Sequence, residues 1–481
     1  MAVAESTAVG IPDLQGFLAQ YEREYPDEVV HVETPLDGTF ELTALAAKLE
    51  KDKRFPLLIF HNVVIDGERM ELPLISFMMA SRLRIARLLG VGVAEAGLAC
   101  FERNQHRQAP ILIPRAEAPV KQIVATGSAI DVRRFPAPRH HSMDPGRYIT
   151  EGLFLTYNRE TRRDNSAMHR GWLADRDEVR VWMGPQTHNA HNLRQWEEAG
   201  EDMPAAFWIG HHPLVLLGAE NHVGPDDSHF ESAGGVSGAP VRLVPSETLG
   251  EDFLVPADAD VVIEGYMPRG QRKPEGPFGE YTRYVGPQRW CPLLKVTAVT
   301  RRRDAYWDDV LVGHTHWISS LAKEGEVFRQ VQRAVPTVRA VHVPMSGAGV
   351  MHVYVQIRKT IEGQGKVAAL AALNTQGSIK HAFVFDEDVD IFDEKVVLLG
   401  LAMRFQAEHG LMLLNGVTGG PLDPSMDDGH TTSKIGFDCT KPLGRDFAER
   451  LAVPAEVMQR IELSDFIGRD RLARIPTEPW G

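Results

Sequence analysis

The chain has 481 residues, of which 43% are hydrophobic and 24% are charged, and its formal net charge is -13. At roughly 100–200 residues per domain this length predicts two to four domains, and the even spread of apolar residues excludes a disordered or fibrous chain. An acidic chain with no run of five or more basic residues is poorly suited to bind nucleic acid. We therefore expect a globular protein without a nucleic-acid partner.

Three further features indicate the compartment. Met1–Gly10 contains no Lys or Arg and does not resemble a signal peptide. The most apolar stretch, Leu72–Val93, is interrupted by three arginines, so we do not expect it to span a membrane. Cys100, Cys291 and Cys439 are too few and too widely spaced for a disulfide framework or a cysteine-based zinc site. These features predict a soluble protein of the cytoplasm.

In chain order, the first signals alternate between helix and strand. A helical stretch at Leu14–Tyr21 precedes a strand-like run at Phe55–Val63, and a second helix is predicted over Leu74–Leu89, ending at Gly90. This alternation predicts a small α/β domain over residues 1–115.

From about residue 110 the pattern changes to short β-type runs separated by Gly, Pro, Asn and Asp. The runs are Ile111–Ile113, Ile123–Ala125, Gly152–Tyr157, Val179–Met183, Leu214–Leu217, Val241–Val244 and Val261–Glu264. They predict a β-rich middle domain, which we place at residues 116–318.

The last part of the chain alternates again, after a predicted linker helix within residues 319–335. The predicted elements are the helix Glu324–Ala334, the strand Val350–Ile357, the helix Lys366–Leu373, the strand His381–Phe385 and the helix Lys395–Ala407. A segment dense in Gly, Pro and Asp, Gly416–Gly436, is predicted to be a loop, and long loops in ordered domains are often functional. A second α/β domain is therefore predicted over residues 336–481.

The most informative segment is Pro274–Tyr281, in which a frame of Pro and Gly sets Glu275 and Glu280 five residues apart. Two neighbouring carboxyl groups can acquire different proton affinities when one pairs with a cation and the other is partly desolvated. In such a pair one carboxyl group stays ionised and the other can act as a proton donor. The alternative is a surface turn with two exposed acidic side chains.

Two earlier segments also contain groups suited to chemistry. Asn165 could ligate a metal ion, and Arg170 could bind a carboxylate through its bidentate guanidinium. His188 and His191 lie three residues apart, and either could ligate a divalent metal. Taken singly, the first segment is also typical of a turn, and the second lacks a third ligand nearby.

In this order and spacing, the three segments resemble the UbiD family of decarboxylases. Asn165 and Arg170 follow a strand that begins with Gly, a His comes about eighteen residues after Arg170, and Glu-Gly-Pro-Phe-Gly-Glu begins at Glu275. The resemblance covers about residues 110–440 and extends through Ala233-Gly234 to Lys434.

The resemblance implies a prenylated FMN cofactor and removal of CO2 from an aromatic or heteroaromatic carboxylic acid. The acid could be of the indole, pyrrole, furan, phenazine or benzoic type. Arg170, Glu275 and Glu280 would form the family's Glu-Arg-Glu network beside the flavin. Glu280 would deliver a proton after CO2 departs, while Arg170 and Glu275 hold each other and the cofactor in register. The reverse reaction would be a carboxylation at high CO2.

The same resemblance implies a divalent metal, typically Mn2+, bound by Asn165 and by His188, with His191 as the alternative. The family's third ligand is a Glu, but the corresponding position here is His229, and Glu231 lies two residues away. The site could therefore use His229 or Glu231 and could differ in metal preference. A potassium ion is a further cofactor that the resemblance suggests.

Other roles are also implied by the resemblance. Ser166, Met168, Gln186 and Lys434 would contact the cofactor together with Asn165 and His188, and His314 or Thr315 would contact the substrate. A flavin prenyltransferase would supply the cofactor, and the chain would form a homodimer or homohexamer through a C-terminal oligomerisation tail. The implied fold class is α/β (α+β): a central β-rich split-barrel domain that binds the flavin, flanked by α/β domains.

Two other functions stay open at this point. A metal-dependent hydrolase would use the His and Asp residues and a metal-bound water, but it leaves the spacing of Arg170, Glu275 and Glu280 unexplained. A catalytically inactive relative would account for His229 in place of Glu, but the three intact residues argue against it.

Overall fold

The computed structural model describes residues 13–224, 226–426, 430–451 and 453–475. The chain forms two compact units, residues 1–440 and residues 441–481. The first unit contains the sheets, the large apolar cores and the residues discussed above. Within the described residues, no helix combines the length and the apolar character that crossing a lipid bilayer requires.

The N-terminal part contains a four-stranded sheet whose last strand comes from far along the chain. In spatial order the strands are Val29–Val32, Leu57–Phe60, Leu74–Ser76 and Trp307–Asp309. The same part contains a small sheet of Leu36–Asp37, Val63–Ile65 and Glu68–Arg69 and four helices, Leu14–Glu24, Glu41–Lys51, Arg82–Leu89 and Ala96–Asn104.

The predicted helix over Leu74–Leu89 is wrong in its first half. Leu74–Ser76 is a strand because it pairs in parallel with Trp307–Asp309, a tertiary contact that overrides the local pattern. The helix begins only at Arg82, where the Ser81 side chain accepts the N–H of Arg84.

The middle part is a curled, half-barrel sheet of nine strands. Eight strands follow one another in the order Asp164–Met168, Gly152–Tyr157, Met203–Ile209, Val261–Met267, Leu293–Arg301, Glu178–Val181, Gly171–Asp175 and Tyr148–Ile149, and Ile123–Thr126 pairs with Leu293–Arg301. Every pairing within it is antiparallel.

Both faces of this sheet are buried along its central strands. Along Gly152–Tyr157, Leu153 and Leu155 pack into one apolar core while Phe154 packs into another. This explains why the strand is a continuous apolar run rather than an alternating one.

Smaller elements complete the middle part. They are the helices His188–Glu198, Pro213–Ala219 and His229–Ser237, the two-stranded pairs Lys273–Glu275 with Arg289–Cys291 and Phe278–Gly279 with Val285–Gly286, and the sheet of Leu254–Pro256, Arg242–Pro245 and Ile111–Leu112. Short 3-10 helices occur in this part and in the two others, and they are Pro26–Glu28, Arg115–Glu117, Pro119–Lys121, Gly127–Ala129, Val132–Arg134 and Met345–Gly347.

The predicted strand Leu214–Leu217 is wrong, because these residues lie in the helix Pro213–Ala219. Pro213 occupies the first helical position, and the His212 side chain accepts the N–H of Leu214 at 3.2 Å. A short, fully buried apolar run fits a buried helix as well as a buried strand.

The C-terminal part of the first unit begins with the helix Ile318–Ala334. Its sheet has the order Val338–His342, His352–Ile357, His381–Asp386, Thr431–Asp438 and Leu411–Thr418, and its helices are Gln364–Leu373, Glu394–Arg404 and Ala407–Gly410. The predicted loop Gly416–Gly436 is therefore wrong at both ends, since the antiparallel pair Leu411–Thr418 and Thr431–Asp438 extends into it. Residues 427–429 lie outside the described residues.

The described residues of the second unit, 441–451 and 453–475, include three short helices, Ala455–Arg460, Leu463–Ile467 and Arg469–Leu472, and none of these has a buried residue. An oligomerisation role for this segment stays a prediction. The partition at residues 115, 318 and 335 also stays a prediction.

Candidate active site

A buried ion-pair network joins Arg170 to Glu275 and Glu280. The guanidinium donates two hydrogen bonds to Glu275, from Nε to Oε1 at 3.0 Å and from Nη2 to Oε2 at 2.7 Å, and its Nη1 donates to Oε1 of Glu280. The three residues are 8%, 0% and 6% exposed, so their charges interact in a nearly dry setting where hydrogen-bonded ion pairs are strong. The structure thus brings together the three residues to which the sequence assigns catalysis.

The two carboxyl groups are engaged unequally. Glu275 also accepts a hydrogen bond from the hydroxyl of Tyr148 at 3.0 Å, and Sγ of Cys291 lies 3.8 Å from its Oε2. Among the described residues Glu280 is bonded through Oε1 alone, and its side chain lines a cavity. Glu275 is therefore a fixed partner of Arg170, whereas Glu280 keeps one oxygen available for proton exchange.

Backbone geometry fixes the loop that carries the two carboxyl groups. Gly276 has φ +82°, a conformation that residues with a Cβ rarely adopt. Asp144 accepts the N–H of Gly279 at 2.9 Å and so anchors the chain immediately before Glu280. Gly286 lies against the same carboxyl group, and a Cβ there would clash with Oε1 of Glu280.

Burial and charge shift the pKa values of this network. Burial raises the pKa of Glu280 above its usual value, against the opposing effect of Arg170. Burial alone would lower the pKa of Arg170, but Glu280 and Glu275 raise it above its ordinary value. Arg170 therefore stays charged, and Glu280 retains a proton to higher pH than a free glutamate does. A carboxyl group with this behaviour can act as a general acid.

Glu280 and Arg170 line a cavity of about 200 Å³, called cavity A. Its walls are largely aromatic and aliphatic, and they include Trp182, Phe278, Tyr281, Val312, Val350 and Leu422. Among the described residues that line cavity A, Arg170 is the one Lys or Arg, and both its partners are carboxylates. Cavity A therefore suits the flat apolar body of a ligand.

A second cavity of about 330 Å³, called cavity B, adjoins cavity A through His169, Glu220 and Ser319, which line both. Its lining is mainly polar. It includes Asn165, Ser166, Gln186, His188, His222, His229 and Lys323. Joined, the two cavities reach the size of a typical cofactor site, roughly 300–1,000 Å³.

The Asn165 side chain presents an oxygen to cavity B. The amide of Asn189 is oriented by its Nδ2, which donates to the carbonyl of Phe154 at 3.2 Å. Its Oδ1 then accepts from the hydroxyl of Thr156 at 2.7 Å and from Nδ2 of Asn165 at 2.6 Å. Because Nδ2 of Asn165 is the donor in this contact, its Oδ1 remains an acceptor, which is the atom that a metal ion binds.

The His229 ring is oriented in the same manner. Its Nδ1 lies 2.7 Å from the carbonyl of Ala219 and must donate to it, so Nε2 carries a lone pair. Nε2 is buried and has no partner among the described residues, although the ring lines cavity B. Burial lowers the pKa of His229 to about 4, so the ring is neutral at physiological pH. A ring held by its other nitrogen is typical of a metal ligand.

The other imidazoles differ in their access to cavity B. His188 lines it, and its ring centroid lies 6.1 Å from that of His222. Burial lowers the pKa of His188, and His222 lowers it further. His191 is exposed and does not line cavity B, and Glu231 instead pairs with Arg163 at 3.5 Å. The structure thus places His188 and His229, rather than His191 and Glu231, at the cavity.

These donors are not yet gathered around a point. Among the described residues, no three His, Cys, Asp or Glu side chains form a ready metal-binding cluster. The candidate set includes an Asn amide and lies along the wall of one cavity, so a bound ion would draw its ligands together.

Three other residues predicted to contact the cofactor also line the cavities. Ser166 and Gln186 line cavity B, and Met168 lines cavity A. The Ser166 hydroxyl accepts a hydrogen bond from Nε1 of Trp208 at 2.9 Å.

Lys434, predicted to contact the cofactor, does not line either cavity, and its contact with the cofactor stays a prediction. Its Nζ donates to the carbonyls of Leu373 and Gln376 at 2.8 and 2.9 Å. Gln376 lines cavity B, so Lys434 supports the wall of the cavity from behind.

His314 and Thr315 do not line either cavity, and their predicted contact with the substrate stays a prediction. Both bind Glu50: His314 through Nδ1, and Thr315 through its N–H at 3.0 Å and its hydroxyl at 2.5 Å. His316 lines cavity A instead, and its Nδ1 is buried without a partner among the described residues. The predicted segment is therefore at the cavity, through His316, which follows Thr315 directly.

Glu220, His222 and Lys323 were missed by sequence reasoning. Burial raises the pKa of Glu220 to about 7, and burial lowers the pKa of Lys323. Oε2 of Glu220 accepts the N–H of Met168 at 2.7 Å. For Glu220 the available signal was a single acidic residue directly after the apolar run Pro213–Ala219, and such a residue by itself is typical of a helix end.

A second buried pair of carboxyl groups lies behind cavity A. Glu151 and Asp308 are 1% and 0% exposed, and their two carboxyl groups interact with each other. Burial raises the pKa of Glu151 to about 8 and that of Asp308 well above its usual value. Their neighbours Thr150 and Asp309 are joined by a hydrogen bond of 2.6 Å, and Thr150 lines cavity A.

The chain matches known proteins over nearly its whole length. Residues 21–102, 112–315 and 316–439 match the N-terminal, Rift-related and C-terminal domains of 3-octaprenyl-4-hydroxybenzoate carboxy-lyase, named UbiD_N, UbiD and UbiD_C. The UbiD-class enzyme HmfF from Pelotomaculum thermopropionicum, solved in complex with FMN, has a TM-score of 0.87 and is 30% identical, covering 95% of this chain and 100% of that chain.

Two relatives indicate the range of activities. The anhydromevalonate phosphate decarboxylase of Methanothermobacter thermautotrophicus is 29% identical, covering 91% of this chain and 98% of that protein. The gallate decarboxylase of Lactiplantibacillus plantarum is 27% identical, covering 92% and 93%.

The curled sheet between α/β domains and the buried Arg170–Glu275–Glu280 network define a carboxy-lyase, an enzyme that removes a carboxyl group as CO2. More particularly, the chain belongs to the UbiD family. The predicted family and multi-domain fold are thereby confirmed.

Proposed function

We propose that this enzyme catalyses the reversible, non-oxidative decarboxylation of an aromatic or heteroaromatic carboxylic acid with prenylated FMN as cofactor. The observation that carries the proposal is the unequal Arg170–Glu275–Glu280 network, whose one uncommitted carboxyl oxygen belongs to a residue lining cavity A. The flavin complexes of HmfF, with FMN and with prFMN, support the cofactor assignment.

The residues present fit a flavin phosphate. Cavity A offers flat apolar walls for a ring system, and cavity B offers Lys323, Gln186 and the metal-ligand candidates for a phosphate. Asn165 and His188 would hold a divalent metal ion against that phosphate, with His229 as the third ligand. When bound, prenylated FMN supplies the electron sink for the charge left on the substrate carbon as CO2 departs.

The walls of cavity A favour an aromatic acid over a phosphorylated one. Arg170 is already bonded to two carboxylates, so a substrate phosphate would find no uncommitted Lys or Arg among the described lining residues. Burying a phosphate without such a partner is costly. Trp182, Phe278 and Tyr281 instead offer ring surfaces against which a planar acid can pack.

The chain's own residues then act in a fixed order. Cavity A encloses the substrate and excludes water, while Arg170, fixed by Glu275, holds Glu280 in place. After CO2 leaves, Glu280 delivers a proton to the carbon that carried it. In the reverse direction the same carboxyl group removes that proton.

The proposal is tested by co-expressing the chain with a flavin prenyltransferase, which supplies the cofactor. The released ligand is analysed by absorbance and mass, and the loaded protein is incubated with indole, pyrrole, furan, phenazine and benzoic acids while CO2 release is measured. Prenylated FMN and turnover of at least one acid are the expected results.

Two outcomes would overturn the proposal. A protein that binds no flavin would fail its central requirement, and a metal-dependent hydrolase acting through the imidazoles of cavity B would then be tested with ester and amide substrates. If the cofactor-loaded protein decarboxylates anhydromevalonate phosphate but no aromatic acid, the proposed reaction type stands and the proposed aromatic substrate class is refuted.

A further inference from the structure

We infer that Glu50 is a positioning residue that holds two segments of the cavity A wall in fixed register, the turn that carries Glu280 and the segment that carries His316. Glu50 itself does not line either cavity, so it acts through its contacts with these two segments. This inference rests on the proposed function, since it takes Glu280 to be the proton donor to a substrate in cavity A.

The place of Glu50 in its own helix does not explain why the residue is acidic. It lies in the last turn of the helix Glu41–Lys51, where the helix dipole disfavours a carboxylate. The side chain is only 15% exposed, and it bonds to residues that lie 233 to 265 positions away in the chain. The tertiary contacts of Glu50 therefore decide its role.

One contact of Glu50 reaches the turn that carries the proton donor. Nη2 of Arg283 donates to Oε1 of Glu50 at 3.0 Å. The N–H of Arg283 donates to the carbonyl of Glu280, and the N–H of Glu280 donates to the carbonyl of Tyr284, both at 2.9 Å. Glu50 thus holds a tight turn whose first residue is the proton donor.

The backbone of Arg283 is strained. Its φ is +65°, in the left-handed region that glycine enters freely and that a residue with a Cβ rarely adopts. Such a conformation persists only where the surrounding structure holds it. Among the described residues, Glu50 is the ion-pair partner of Arg283. The arginine side chain therefore supplies something that a glycine in this turn could not, namely the link to Glu50.

Glu50 also binds the segment that leads to His316. Its Oε1 accepts the N–H of Thr315 at 3.0 Å and the hydroxyl of Thr315 at 2.5 Å, and its Oε2 pairs with Nδ1 of His314. Burial alone would raise the pKa of Glu50, but the hydrogen bonds from His314 and Thr315 lower it to about 2, so the carboxylate is ionised at neutral pH. The same carboxylate thereby fixes the backbone directly before His316, which lines cavity A.

The two segments touch each other next to Glu50. A Cβ on Gly313 would lie 3.5 Å from the carbonyl oxygen of Glu280 and 3.8 Å from Cγ of Arg283. These distances are ordinary van der Waals contacts, so a shift of one segment is transmitted to the other. Glu50 is bonded to both sides of this contact.

The helix that carries Glu50 is tied to a third segment of the cavity A wall. Thr43 lies about two helical turns before Glu50 and hence on the same face of the helix. Its hydroxyl lies 2.9 Å from Nδ1 of His140, and Nε2 of His140 lies 3.1 Å from Oδ1 of Asp309. Asp309 in turn accepts the hydroxyl of Thr150, which lines cavity A, at 2.6 Å. This face of the helix is therefore a rigid base for the contacts of Glu50.

The first test separates the rate from stability in full-length, cofactor-loaded protein, with an acid that the wild type turns over. Arg283→Gly removes the link to Glu50 and lets the turn adopt its conformation without strain. An ion pair whose arginine is 56% exposed contributes little to stability, but a small displacement of a reacting group is costly in rate. We expect kcat to fall about 3–10-fold, KM to stay unchanged and the melting temperature not to fall.

The second test loosens both segments. Glu50→Gln keeps the shape of the side chain but removes its charge, and it should lower kcat about 10-fold or more and also raise KM. Hydrogen–deuterium exchange should become faster in residues 280–286 and 311–317 of Glu50→Gln, but only in residues 280–286 of Arg283→Gly. Glu41→Gln, an exposed carboxylate in the first turn of the same helix, is the matched control and should change none of these quantities.

A double-mutant cycle decides whether Arg283 acts through Glu50. Arg283→Gly should have almost no further effect on kcat in the Glu50→Gln background, because the contact is already broken. Full additivity would overturn the inference, and so would a fall in kcat that is matched by a lower melting temperature and by faster exchange throughout the chain. Unchanged kcat in both variants of an active enzyme would refute this inference alone. A wild-type protein that turns over no acid would refute the proposed function and, with it, the catalytic role of Glu50.

Discussion

At the scale of single residues, the chemistry depends on the difference between two carboxyl groups on one short loop. Glu275 is saturated by Arg170 and Tyr148, whereas Glu280 is bonded through one oxygen among the described residues. The same side-chain type therefore serves as a fixed partner at one position and as a proton carrier five residues later.

Glu280→Gln should lower the decarboxylation rate about 10²–10⁴-fold, the usual contribution of a general acid. The amide keeps the shape of the side chain but cannot exchange the proton, so the flavin should stay bound. Turnover is measured by CO2 release, and cofactor content by absorbance. Glu231→Gln, outside both cavities, is the control, and a fully active Glu280→Gln enzyme would exclude Glu280 from proton transfer.

His316 should contact the substrate. Burial lowers its pKa to about 4, so the ring is neutral, and its Nδ1 lacks a partner among the described residues. Losing one such hydrogen bond is worth about 0.5–1.5 kcal/mol, so His316→Ala should raise KM up to about 10-fold. His314→Ala should instead lower thermal stability, because that ring binds Glu50. A KM effect confined to His314→Ala would restore the contact predicted from sequence.

The sequence allowed the catalytic residues to be identified but not their neighbours. Arg170 lies 105 and 110 residues before Glu275 and Glu280, but the motifs around these residues are specific, so recognition did not require the fold. His222 and Lys323 belong to no such motif. They reach cavity B because the loop after the helix Pro213–Ala219 and the helix Ile318–Ala334 both line it, and the local sequence contains no information about that convergence.

At the scale of elements, the buried Glu151–Asp308 pair connects two sheets. Asp308 lies in Trp307–Asp309, the strand that the middle of the chain contributes to the N-terminal sheet, and Glu151 immediately precedes Gly152–Tyr157. Removal of both protons would leave two carboxylates in an apolar setting, which is strongly unfavourable.

This pair predicts a pH dependence of stability. Burial raises the pKa of Glu151 from 4.5 to about 8, so in that range the folded protein holds a proton that the unfolded chain has released. Stability should therefore fall as pH rises from about 4.5 to about 8, by up to about 1.4 kcal/mol per pH unit for one proton. In Glu151→Gln this fall should be smaller.

The measurement is the urea midpoint of wild-type and variant protein across that pH range. Glu231→Gln, a change on a half-exposed side chain, should retain the wild-type slope. An identical slope in Glu151→Gln would show that the folded protein holds no proton at this residue.

Element type could be predicted where the pattern was unambiguous. The strand Gly152–Tyr157 was predicted with its observed bounds, because its run of strand-forming residues is followed directly by Asn158, a residue typical of turns. Leu214–Leu217 and the first half of Leu74–Leu89 were predicted wrongly, because in short apolar runs the tertiary partner decides between helix and strand.

At the scale of the whole molecule, the first unit contains the apolar cores and both cavities, whereas the three short helices among the described residues of the second unit have no buried residue. Large apolar side chains in the second unit are exposed, among them Leu451 at 97% and Phe466 at 71%. Segments with such exposed apolar side chains are typical of contacts between protein molecules.

Removal of residues 441–481 should therefore reduce the oligomeric state without unfolding the first unit. We expect the full-length protein to be a homodimer or homohexamer and the truncated protein to have a lower mass by light scattering, with a cooperative thermal transition retained. Phe466→Ser should weaken the assembly, because it removes apolar area from the contact, whereas Ser464→Ala in the same helix should not. Equal masses for the full-length and truncated proteins would place the contact on the first unit instead.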